Sequence, residues 1–89
     1  MKIFFSKDAR KQFENWKQAD NRVANKIDEL LNDIKQNGFT TGKGKPEQLR
    51  YYKNPVRFSR RITQQDRLVY CQCNQNDLLI ISCKGHYED

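Results

Sequence analysis

Between Asp20 and Gly38 the chain places Val23, Ile27, Leu30, Leu31 and Ile34 at intervals of three and four residues, a continuous apolar stripe along one face of a helix. A helix patterned this way has to lay that face on another element, so it dictates a layered fold. Asp20 precedes it as an N-cap, and Asn37-Gly38 follow as a stop signal. Upstream, Ala9, Phe13 and Trp16 mark a shorter stripe and predict a helix over about 7–18, with Ser6 as N-cap and Asp8 in the first turn. The two helices read as a hairpin whose stripes, Trp16 included, are core material. Residues 2–5 precede them as a short strand.

The final third changes period from 3.6 to 2. Val56, Phe58, Arg60 and Ile62 alternate with Arg57, Ser59, Arg61 and Thr63, which gives one mostly apolar face and one polar, basic face. Thr63-Gln64-Gln65-Asp66 reads as a turn, Arg67 to Cys73 as a strand, Asn74 to Asp77 as a second turn, and Leu78 to Cys83 as an apolar inner strand. Residues 38–46, with three glycines, two threonines and a proline, read as an exposed loop, and 46–55 as a further connection. The expected architecture is α+β, in the order β-α-α-β-β-β, with the helical hairpin covering one face of a mainly antiparallel sheet and basic side chains on the other. At 89 residues this is one domain, 1–89, with a modest core. No apolar run reaches membrane-spanning length and the N-terminus lacks a signal-peptide pattern, so a soluble cytoplasmic protein is expected.

The charge is unevenly placed. Net charge is +6, and residues 43–67 carry all of it, with eight basic residues against Glu47 and Asp66; the rest of the chain holds nine of each sign. Tyr51, Tyr52 and Phe58 are interleaved with these cations, the footprint of a polyanionic partner such as nucleic acid. The helices are close to neutral, which argues against a DNA-reading hairpin. Gly42-Lys43-Gly44-Lys45 lacks the spacing and the Ser/Thr of a P-loop. Cys71, Cys73 and Cys83 are an odd set suited to a reducing compartment. With His86 they lack the usual paired zinc spacing, so neither metal nor cofactor is expected.

Metal-free cleavage of RNA needs a base for a 2′-hydroxyl, cations for the phosphate, and an acid for the leaving 5′-oxygen. The chain offers Glu47 as a carboxylate among the cations, His86 as its one histidine, and Arg67 as a phosphate clamp, supported by Arg50, Arg60 and Arg61. Tyr87 is a candidate to stack on a base or to orient the scissile group. Each residue also has a plain surface reading, and on these grounds RNA cleavage and non-catalytic binding of RNA or the ribosome both stand.

The blocks Gly42-Lys43-Gly44-Lys45-Pro46-Glu47-Gln48-Leu49, Ser59-Arg60-Arg61-Ile62, Arg67-Leu68-Val69-Tyr70 and Ile80-Ile81-Ser82-Cys83, with His86-Tyr87, closely resemble the YoeB/Txe toxins of the RelE superfamily in order and spacing. The resemblance implies a RelE-like fold and a bacterial type II toxin that acts as an mRNA interferase. Such an enzyme is a nuclease that enters the A site of the 70S ribosome, cuts the message there and so inhibits translation. It implies a YefM-type antitoxin that wraps the toxin and blocks its site, and homodimerisation is a further expectation. Carried over residue by residue, Glu47 is the base, Arg67 stabilises the phosphate and transition state, His86 is the acid and Tyr87 positions RNA. Lys43, Lys45, Arg50, Arg60 and Arg61 are the expected RNA and phosphate ligands. Lys84-Gly85 and Pro55-Val56-Arg57-Phe58 differ from the family pattern, and Glu88-Asp89 follow the His-Tyr pair.

Overall fold

A computed structural model describes residues 1–86. Strand β1 (Ile3–Phe5) leads into helices α1 (Lys7–Ala19) and α2 (Asn21–Asn37), followed by strands β2 (Glu47–Lys53), β3 (Val56–Arg61), β4 (Arg67–Cys73) and β5 (Asp77–Ser82). Ser6 caps α1 by accepting from the Ala9 N–H at 3.0 Å, and its hydroxyl donates to the Ile81 carbonyl at 2.8 Å, which ties the helix start to β5. Asp20 serves both helices. Its N–H donates to the Trp16 carbonyl at the end of α1, and its carboxylate accepts from the Arg22 N–H at the start of α2. A single capping residue therefore makes the corner of the hairpin.

The sheet has five strands in the order β1-β5-β4-β3-β2. Only β1 pairs in parallel, with β5; the other pairs are antiparallel. The expected α+β layering is therefore present, with one difference. Residues 47–53, read from sequence as a connection, form the edge strand β2. Leu49 is its one buried residue, so there is little apolar alternation to reveal it, and its strand state comes from pairing with β3.

The core lies between the hairpin and one sheet face. Ile27, Leu30 and Ile34 of α2 meet Leu68 and Tyr70 of β4 and Leu78 and Ile80 of β5, all seven with no exposed surface. Burying an aliphatic side chain of this size contributes roughly 1.5–3 kcal/mol. Phe39, Phe58 and Tyr70 stack along one margin, with centroid separations of 5.7 to 6.3 Å. The other sheet face is not wholly polar. Leu49, Val69 and Cys71 are also buried, outside the main cluster, and strand alternation puts Val69 and Cys71 opposite Leu68 and Tyr70. No helix among the described residues is long and apolar enough to cross a membrane.

Candidate functional site

Strand register assembles the site. Arg61 pairs with Arg67 across β3 and β4, and the Arg61 N–H donates to the Gly44 carbonyl at 2.7 Å, which brings Lys45 alongside Arg61. Lys45, Arg61 and Arg67 thus form a row at one end of the sheet. Together with Lys26 from α2 they line a cleft of about 520 Å³ floored by Ile62, with no carboxylate among its lining residues. Two residue pairs further along, Glu47 faces Ser59, which faces Val69. Glu47 is exposed and sits two strand spacings, about 10 Å, from the β4 strand that carries Arg67.

The opposite flank is built by the residues after β5. The Trp16 indole N–H donates to the Cys83 carbonyl at 2.9 Å, and the Cys83 N–H donates to the Gln12 side-chain oxygen at 2.7 Å, so α1 fixes where β5 ends. Gly85 is then held twice. Its N–H donates to the Asp66 carboxylate at 2.9 Å, and its carbonyl accepts the Arg67 N–H at 2.9 Å. His86, exposed, is the next residue after this anchor to the Arg67 backbone. Tyr87 lies outside the described residues.

Arg67 is preset for an anion. Its Nη1 donates to the carbonyls of Thr63 (2.8 Å), Asp66 (3.1 Å) and Gln64 (3.3 Å), which anchors the guanidinium on the β3–β4 turn. Among the described residues Nε and Nη2 carry no hydrogen bond, which leaves donors for a phosphate. The turn is itself cross-braced by Thr63, whose hydroxyl donates to Asp66 and accepts from the N–H groups of Gln65 and Asp66.

Three of the expected phosphate ligands stand elsewhere. Arg60 has no exposed surface, and all five of its donor hydrogens are engaged: Nε to the Tyr70 hydroxyl, Nη1 to Asp33 and the Lys43 carbonyl, Nη2 to the carbonyls of Gly38 and Thr41. No N–H remains for a phosphate, so Arg60 is corrected from ligand to internal clamp. It pins the 38–44 loop that leads to Lys45 and Glu47. Lys43 turns its ammonium to Glu29 at 2.9 Å while its backbone N–H donates to Asp33, and this pairing raises its pKa. Arg50 lines a separate hollow with Gln48 and Lys53, and its guanidinium lies 5.7 Å from the Tyr51 ring centroid. Two of the eight cations in 43–67 are thus paired with acids of α2, and three of the others, Lys45, Arg61 and Arg67, line the cleft.

Asp33 was absent from the sequence reading, although a signal existed. It falls beside Leu30 and Ile34 on the apolar stripe, and Arg60 falls on the apolar face of β3; two opposite charges on facing core surfaces call for each other. Hydrogen bonds from the Lys43 N–H and then from Arg60 hold the Asp33 carboxyl below the usual carboxylate range. Gly42 lies against this pair. A Cβ there would come within 1.9 Å of the Asp33 carboxylate, and φ is +120°, so the Gly-Lys-Gly-Lys stretch is glycine-rich to wrap the clamp. Lys26 was likewise missed, because its helix reads as neutral overall.

Burial pushes the Cys83 thiol up to about 11 and raises that of Cys71. Among the described residues no three His, Cys, Asp or Glu side chains converge on a point.

Two helices over a mainly antiparallel five-stranded sheet, with a cationic cleft at one end, make this a small basic α+β domain. The family model for the YoeB-like toxin of bacterial type II toxin-antitoxin systems matches residues 5–87. The chain is 39% identical to toxin YoeB of Escherichia coli K12 over 98% of its own length and the whole of that protein. Among solved structures, the YoeB dimer from Staphylococcus aureus superposes with a TM-score of 0.87 at 41% identity, covering 98% of each chain. The YoeB-YefM complex from the same organism superposes at 0.86 and 39% identity, again covering 98% of each. The chain belongs to the YoeB family and is a toxin of a type II toxin-antitoxin system.

Proposed function

We propose that this toxin is an endoribonuclease that cuts mRNA in the ribosomal A site. The observation supporting it is the Lys45-Arg61-Arg67 row with Glu47 on one flank and His86 on the other. A scissile phosphate seated on Arg61 and Arg67 has a carboxylate and an imidazole on opposite sides, as proton transfer in and out of the reaction requires. Glu47 takes the proton of the 2′-hydroxyl, whose oxygen bonds to phosphorus. Arg67, Arg61 and Lys45 stabilise the charge that builds on the phosphoryl oxygens. The bond to the 5′-oxygen breaks, and His86 donates the proton that oxygen takes up. The products are a 2′,3′-cyclic phosphate and a 5′-hydroxyl end, and Tyr87 is assigned to positioning the RNA.

By likeness to the staphylococcal structures, the chain associates with a YefM-type antitoxin and with a second copy of itself. Its work on translating ribosomes is done in the cytoplasm. The test of the chemistry is a message carrying a single 2′-deoxy nucleotide at the cut position. It should survive while the all-ribose message is cut. Cutting of the deoxy message overturns the proposed attack, and an all-ribose message left intact on stalled ribosomes favours a non-catalytic blocker of translation.

A further inference from the structure

The cationic cleft does not end at Lys26. A second hollow, lined by Asp20, Arg22, Val23, Lys26, Ile62 and Thr63, adjoins it, and the two share Lys26, Ile62 and Thr63. Lys26 therefore stands at the junction, half-buried on α2 with its stem against the shared wall. Its side is apolar where Val23 and Ile62 are each 8% exposed, and cationic where Lys26 faces Arg61 and Arg67 across the cleft. At the far end Arg22 is almost wholly exposed and only loosely paired with Asp20, at 3.8 Å. The adjoining hollows give a single strand lying on Arg61 and Arg67 a way out of the cleft toward α2, over Ile62 and Thr63, with Lys26 at the junction.

We infer that Lys26 is an RNA-binding residue, which holds the phosphate next to the scissile one and guides the message strand off the catalytic cleft along the start of α2. This rests on the endoribonuclease reading above. Lys26 does not touch the reacting phosphate, so its contribution is made equally in the ground and transition states and appears in KM.

The test compares wild type, Lys26→Gln and Lys35→Gln; Lys35 is an exposed lysine in the last turn of the same helix and outside both hollows. Binding to a single-stranded RNA with a 2′-deoxy nucleotide at the cut position is measured across a salt titration, and cleavage kinetics are measured on the all-ribose message. Lys26→Gln should weaken binding by about threefold, as loss of one exposed ion pair does. It should flatten the slope of log affinity against log salt by about 0.7, the value of one phosphate contact on a single strand. KM should rise with kcat unchanged, while Lys35→Gln behaves as wild type. Equal behaviour of the two variants overturns the inference. So does a loss of kcat at constant KM, or a Lys26→Gln defect seen only with ribosomes and not with free RNA, which would place ribosomal RNA on this surface. Failure of wild type to cut any RNA would overturn the endoribonuclease reading instead, and the salt slope on uncleaved RNA would still decide the role of Lys26.

Discussion

The backbone N–H of Gly85 donates to the Asp66 carboxylate at 2.9 Å, so the residue before His86 is held by the turn that precedes Arg67. Proposed acid and proposed phosphate clamp are thus positioned by one turn. Asp66→Ala removes this acceptor and the Thr63 brace, and should lower kcat at least tenfold with KM little changed, at a stability cost of about 1–2 kcal/mol. Asp66→Asn keeps an acceptor for Gly85 and should recover part of kcat. Equal loss in both variants, read by cleavage kinetics beside a thermal melt, would mean that the carboxylate does more than orient.

Arg60 makes a separate prediction, because it was expected on the phosphate and is found inside. Arg60→Met strands Asp33 in the core and should destabilise the fold by about 3–5 kcal/mol, lowering the thermal midpoint by at least about 10 °C. A phosphate ligand would instead lose RNA affinity at wild-type stability. Thermal unfolding and RNA binding measured on the same sample separate the two.

Because the Asp33 carboxyl is depressed in the folded state, it takes up a proton more readily when unfolded. Its stabilisation is therefore complete at neutral pH, begins to fall as pH drops below the ordinary value of 3.8, and is lost as pH passes through the lower folded value. The stability gap between wild type and Asp33→Asn should stay constant from pH 7 to pH 5 and close only below about pH 4. A gap that closes near neutrality would contradict the assignment.

The 38–44 loop offers a matched pair of glycines. Gly38 (φ +91°) and Gly42 (φ +120°) both have backbone geometry that disfavours a side chain, but a Cβ at Gly38 meets nothing within 4 Å while one at Gly42 runs into Asp33. Gly38→Ala should cost about 1–3 kcal/mol from backbone strain alone. Gly42→Ala should cost clearly more and also reduce activity, because displacing the loop shifts Lys45 and Glu47. Denaturant midpoints give the comparison directly.

Thiol chemistry should follow burial. Cys73 is partly exposed at the end of β4, whereas Cys71 and Cys83 are buried with raised thiol pKa values. Alkylation of the folded protein at neutral pH should modify Cys73 first and leave Cys83 until unfolding, as followed by mass spectrometry.

These residues also show what the sequence could and could not disclose. The stripe from Val23 to Ile34, the Asp20 corner and the alternation over 56–62 reflect periodicity, a local property, and each became the element expected. Strand β2 did not announce itself, since with Leu49 alone buried its extended state depends on β3 as a partner. Arg60 was placed on the correct sheet face and given the wrong task, because the carboxylate that claims it is 27 residues away. Glu47, Arg67 and His86 were legible as residue types near the basic segment. Where they fall in the fold depends on register, on Gly85 and on the α1 contacts to Cys83, none of which is local in sequence.

The central claim is that the cationic row between Glu47 and His86 is a site that cuts RNA. It is tested most directly by the end chemistry of mRNA from cells expressing the toxin. The account predicts new 5′-hydroxyl ends paired with 2′,3′-cyclic or 3′-phosphate ends. Glu47→Ala, Arg67→Ala and His86→Ala, each still folded, should abolish them. Intact mRNA during full growth arrest, or the same ends from all three variants, would contradict it.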